Sequence, residues 1–176
     1  MAGSLELIKS VTGSDVNTLS ITNCFSDKYD VYKVVGHTAE YRPTDTNTID
    51  LRTRFIDSGG SIIDGSEYST AKLEMKAESG FDQDKQASAT YMYGATNFGN
   101  YDNAGMVIYF YNPNNSSSFT FMAAQGTGGY DTSNSRFRSV KNISVHRSAE
   151  QITGVHFLSS SGSSNFDIEI SVYGVK

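Results

Sequence analysis

A chain of 176 residues and 19.2 kDa is sized for one domain, whose single core can bury roughly 70% of the extended chain's surface without help from a metal or disulfide. With 14 Lys and Arg against 19 Asp and Glu the formal charge is −5, and the scattered cations exclude a nucleic-acid surface. A lone cysteine, Cys24 in "SITNCFS", excludes an intramolecular bridge and reads as an inert buried thiol.

The pattern predicts about eleven strands, at residues 4–9, 18–25, 29–39, 49–56, 68–77, 88–93, 106–111, 118–124, 136–146, 152–159 and 166–173. The opening "MAGSLELIKSV" has no basic run leading into a long apolar core, and no apolar run approaches the roughly 20 residues of a bilayer span. Synthesis in a cytosol, without membrane insertion, is therefore expected. Leu5, Leu7 and Ile8 form a candidate oligomer or attachment segment, since early residues stay loose unless something ties them down. The next strand, "YDVYKVVG", sets Tyr29, Val31 and Val35 against Tyr32 and Val34. Turn-forming clusters follow at "RPTDTNT" and "DSGGSIIDGS". The segment "AKLEMKAESG" has room for a short helix, but Tyr68, Ala71, Leu73 and Met75 are read as a strand.

After it, "SGFDQDKQ" reads as a loop carrying Asp82 and Asp84, and "NYDNAG" adds Asp102. Such acids can in principle hold calcium or act as a glycosidase pair, yet no EF-hand loop surrounds them and solvated loop acids are the simpler reading. The stretch "ATYMYGATNFGNYDNAG" presents Tyr91, Tyr93, Phe98 and Tyr101 among small residues and amides, and "GTGGYD" adds Tyr130. Exposed rings beside Asn and Asp suit a protein contact or a glycan. Tyr91 and Tyr93 share a parity and are expected side by side.

Strand 106–111 is apolar on both parities, with Met106, Ile108 and Phe110 opposing Val107, Tyr109 and Tyr111. Only one face of a sandwich sheet meets the core, so the second needs a cover, and another subunit is the economical one. "RSVKNISVHR" gathers cations but keeps strand periodicity. The final "NFDIEISVYGVK" places Phe166, Ile168, Ile170 and Val172 on one side and Asp167, Glu169, Ser171 and Tyr173 on the other. Many short strands without a helical pattern predict an all-β antiparallel sandwich, jelly-roll-like, in one domain.

No enzyme chemistry emerges. His37, His146 and His156 are isolated and read as surface or satisfied core residues. "SGSSNF" and "GTGGYD" supply neither a nucleophile elbow nor a phosphate cradle. No catalytic, cofactor-binding or metal residue is assigned, and no cofactor is expected.

Three stretches, "MAGSLELIKSVTGSDVNTLSITNCFSDKYDVYKVV", "IDLRTRFIDSGGSIIDGSEY" and "ITGVHFLSSSGSSNFDIEISVYGVK", together resemble small β-sandwich virion proteins of tailed bacteriophages, especially those of aquatic hosts. The likeness spans nearly the whole chain and lies in the opening S-L-E-L-I, the F-x-x-x-Y-D-x-Y strand, L-R-x-R-F before S-G-G, and the closing V-Y-G-V-K. It implies a non-enzymatic protein displayed on the particle, on the capsid or on a tail or fibre, and usually multimeric, often a trimer. Lacking a shaft, the chain is expected to be a capsid decoration or cement protein. The alternative is a lectin-like fibre-tip module that binds host surface glycan.

Overall fold

The computed structural model describes residues 4–42, 49–98, 104–131, 136–162 and 165–176. Every regular element in them is a strand: β1 (Leu5–Val16), β2 (Thr18–Ile21), β3 (Val31–Arg42), β4 (Ile49–Asp57), β5 (Tyr68–Lys76), β6 (Gly80–Ala89), β7 (Met92–Phe98), β8 (Ala104–Tyr111), β9 (Thr120–Asp131), β10 (Arg136–His146), β11 (Ile152–Ser159) and β12 (Asn165–Val175). They pair antiparallel in two sheets, one of eight strands ordered β1-β12-β3-β8-β9-β10-β5-β6 and one of four ordered β2-β11-β4-β7. The expected all-β antiparallel sandwich is what forms.

Within that order the jelly roll is explicit. The large sheet begins β1-β12-β3-β8 and the small sheet is β2-β11-β4-β7, as when a long antiparallel ribbon folds over so that successive strands alternate between layers. β9, β10, β5 and β6 then prolong the large sheet beyond β8.

Period-two burial holds the layers together. Phe166, Ile168, Ile170 and Val172 of β12 and Met106, Ile108 and Phe110 of β8 are all buried. Across from them stand Ile21, Leu51, Phe55, Val155 and Phe157. Each such side chain contributes about 1.5–3 kcal/mol by leaving water. Aromatic rings link the core edge-on, with Phe110 at 5.5 Å from Phe25 and 5.4 Å from Phe55, centroid to centroid. Two buried phenols fasten loops to this core. Tyr68 Oη accepts from Phe55 N (3.0 Å) and donates to the Ile63 carbonyl (2.9 Å). Tyr32 Oη accepts from Ser26 N (2.7 Å) and donates to the Ser26 carbonyl (2.8 Å).

The structure departs from the sequence reading at several places: β1 runs on to Val16, β2 stops at Ile21, and β9 continues to Asp131. Residues 80–89 are not a loop but the edge strand β6, and Gly80, at φ 89°, closes the turn from β5. β6 is charged and exposed along nearly all its length, as suits an edge that must not pair with other chains. The single strand expected at 88–93 is instead the junction where β6 ends and β7 begins. There the chain crosses from the large sheet to the small one, giving twelve strands among the described residues.

β7 needs a glycine to cross. A Cβ on Gly94 would stand 1.8 Å from the Leu51 carbonyl oxygen, so only a residue without one lets β7 lie this close to β4. The side-chain amide of Asn142 on β10 then donates to the carbonyls of Tyr93 and of Gly94, the latter at 2.9 Å. A strand of one layer is thereby clamped onto the other.

Candidate functional site

The outward face of the large sheet is the most distinctive surface. Strands apolar on both parities leave one set of side chains uncovered, and cross-strand pairing aligns them in rows. One row runs Leu7, Tyr173, Lys33, Tyr109, Ala123, Ile143, Ala71. The next runs Leu5, Val175, Val31, Tyr111, Phe121, Val145. On the other flank lie Val35, Val107, Gln125, Lys141 and Leu73. Ile143 is 64% exposed and Phe121 48%. Because Ala123 and Ala71 are short beside Ile143, a groove of about 750 Å³ opens on one side of the Tyr109–Ile143 row and one of about 790 Å³ on the other. Contiguous exposed apolar surface of this kind marks an interaction site.

The N-terminal candidates divide. Leu5 and Leu7 are exposed and extend the outer face through Val175 and Tyr173. Ile8 sits at the irregularity between Leu7 and Lys9 and packs on the core, so it belongs to the interior.

The tyrosine pair is adjacent, as expected, but Tyr93 is buried while Tyr91 is partly exposed. Tyr91 and Tyr93 meet edge to face at 5.8 Å, and Tyr93 is only 4% exposed. Arg52 lies 4.0 Å over the Tyr91 ring and Lys72 Nζ 5.1 Å over that of Tyr93. Gln86 Nε2 donates to both hydroxyls, at 3.2 and 2.9 Å. The Tyr93 hydroxyl donates to Asp84, and burial, then the carboxylate of Asp84, pushes its ionisation above the ordinary phenol range. The ring of Tyr93 is thus covered, which removes it as a sugar platform. Tyr101 and the side chains of Phe98 and Tyr130 lie outside the described residues.

The other sequence candidates resolve into structural partners. Asp82 accepts from Lys76 Nζ at 3.0 Å while Asp84 serves Tyr93, so these two acids of β6 do not share a site. Asp102 lies outside the described residues. The cations of "RSVKNISVHR" disperse, since Arg138 turns inward to Glu74 at 2.9 Å and Lys141 faces out. Cys24 is buried, and burial pushes its thiol up to about 12, consistent with an inert side chain. His37 is exposed, 4.0 Å from Glu169. His156 is buried, with Nδ1 2.8 Å from the Ser20 hydroxyl. Among the described residues no helix is long and apolar enough to cross a membrane.

Sequence reasoning missed two polar clusters. One lies beneath β7, where Glu74 is buried between Lys72 at 3.5 Å and Arg138 at 2.9 Å. Its signal was a charged residue on the core parity of β5. The other joins His146 to Glu67 and Glu150. Only the four-residue spacing to Glu150 was visible, because Glu67 arrives through the pairing of β5 with β10.

No family model matches the chain, and no curated protein does. Among solved structures, a fructofuranosidase variant from Schwanniomyces occidentalis complexed with fructosylnystose aligns at TM-score 0.30 and 8% identity, over 97% of this chain and 34% of that one. A β-fructofuranosidase from the same organism complexed with fructosyl-erythritol aligns at TM-score 0.24 and 8% identity, with the same coverage of both chains. The chain spans about a third of the length of those enzymes, and nothing about its activity follows from likenesses this slight.

Proposed function

We propose that this chain is a non-enzymatic virion structural protein of a tailed bacteriophage, a decoration or cement protein that binds the assembled capsid as a homo-oligomer, in the first instance a trimer. The observation that carries the reading is the apolar outer face of the eight-stranded sheet. Its rows of Leu5, Leu7, Tyr111, Phe121, Ile143 and Leu73 are exposed among the described residues, and copies of the same chain are the occupants that would remove them from water. The resemblance of the sequence to small phage virion proteins supplies the setting. The jelly roll agrees with it, since the fold is frequent in viral shell proteins, although it serves lectins too. A protein bound at capsomer joints stabilises the shell by linkage, because it binds the assembled state and not the disassembled one.

The test is the copy number and location of the chain in an intact particle, by quantitative staining against the major capsid protein with labelled-antibody imaging. Copies spread over the shell in a fixed ratio to capsid protein are expected. A handful at an appendage tip would replace this reading with the glycan-binding one. Absence from any particle would sink both.

A further inference from the structure

At the rim of the sandwich, away from the apolar face, three ionisable side chains converge. His146 is the last residue of β10 and pairs with Tyr68, the first of β5. Its ring is wholly buried, with centroids of Phe55 at 5.9 Å and Tyr68 at 5.2 Å. Glu67 comes just before β5, its backbone held by Arg147 N–H donating to its carbonyl (2.9 Å) and by its own N–H donating to the Gly65 carbonyl (2.8 Å). The Arg147 guanidinium donates to the Ser66 carbonyl at 2.6 Å and steadies the same turn. Glu150 sits in the connection to β11.

His146 Nε2 lies 3.5 Å from Glu67 Oε2 and 3.4 Å from Glu150 Oε1, and one ligand atom from each residue falls within 4.8 Å of the others. These separations are long for N–H···O hydrogen bonds. Among the described residues, neither ring nitrogen of His146 has a hydrogen-bond partner, and a buried ring with both nitrogens idle is rare. The same separations match the edge of a tetrahedron, since ligands about 2.0–2.1 Å from a zinc ion stand about 3.3 Å from one another.

We propose that Glu67, His146 and Glu150 form a divalent-metal site of the zinc type, bound through His146 Nε2 and one oxygen of each carboxylate, with a fourth position open to water. A neutral imidazole and two carboxylates balance the charge of a divalent ion. Calcium and magnesium prefer all-oxygen shells of six or more ligands, so the imidazole selects against both. The carboxylates are wetter than the imidazole, with side-chain exposures of 45% for Glu67 and 34% for Glu150, which gives the ion a way in from solvent. Such an ion would pin the connection after β10 to the start of β5.

The experiment uses untagged full-length protein, stripped with chelator and titrated with Zn²⁺ by calorimetry at neutral pH. Thermal unfolding is followed with and without the ion, and Co²⁺ absorption reports the geometry. One ion per chain is expected, with a rise in unfolding temperature and the intense visible bands of tetrahedral Co²⁺. Glu67→Gln and Glu150→Gln should each weaken binding at least tenfold and abolish the thermal shift. Both positions face solvent, so the variants should fold, and circular dichroism checks that they do. If the folded wild-type chain shows no saturable binding, or binds equally well in both variants, the proposal is overturned.

Discussion

The phenol of Tyr93 donates to the carboxylate of Asp84, tying β7 of the small sheet to β6, the outermost strand of the large one. β6 pairs with β5 alone, so this bond and the one from Gln86 Nε2 to the same hydroxyl tie it to the facing layer. A hydrogen bond to a charged acceptor contributes about 1.5–3 kcal/mol, and less where water reaches the acceptor. Tyr93→Phe keeps the ring against Lys72 and removes both of these bonds. We expect a loss of about 1 kcal/mol in urea unfolding and faster amide exchange confined to β6. Unchanged exchange there would mean that the β5 ladder alone fixes the edge.

The apolar outer face makes a second prediction. Ile143 is 64% exposed, so in an isolated chain Ile143→Glu should change stability by no more than about 0.5 kcal/mol. At a contact between copies, the same change buries a charge among Ala71, Ala123 and Tyr109. Light scattering should then give a multiple of 19.2 kDa for the wild type and the monomer mass for the variant. A monomeric wild type at high concentration would remove self-association from the proposed function.

What the sequence made legible, and what it hid, follows from the range of the interactions. β12 and β8 were readable because alternation is local: Phe166 to Val172 and Met106 to Phe110 carry their burial in their spacing. β6 was not, because an edge strand is wet on both faces and its Asp82, Gln83, Asp84 and Lys85 look like a loop. Tyr93 was read as exposed because its cover, Lys72 and Gln86, comes from other strands. The Glu67–His146 approach depends on the register of β5 with β10, which no local pattern encodes. The outer face was anticipated because a strand apolar on both parities announces itself in one segment.

Gly94 tests the close approach of β4 and β7. A Cβ there would overlap the Leu51 carbonyl, and β7 cannot retreat without breaking the Asn142 clamp. Gly94→Ala should cost about 3 kcal/mol or more, seen as a large drop in denaturant midpoint or as insoluble expression. Near-native stability would show that β7 can move away freely.

Acid should weaken the fold in two separate steps. Burial, then the nearby charge of Arg54, holds His156 below its ordinary value of 6.5. The unfolded chain therefore takes up that proton first. The stability from a neutral His156 is complete above about pH 6.5 and declines as pH falls toward the depressed folded value. Glu6 is held at about 2, against an ordinary 4.5, by hydrogen bonds from Lys176 and then Lys28. Its contribution is complete above the ordinary value and is lost as pH falls from there toward 2. Because Glu6 is exposed to solvent, this lower step should shrink in high salt while the upper one persists. Melting temperatures from pH 8 to 2 for the wild type, His156→Gln and Glu6→Gln check the assignment. His156→Gln should flatten the upper step alone and Glu6→Gln the lower one alone. A profile that keeps both steps in either variant would place the responsible proton elsewhere.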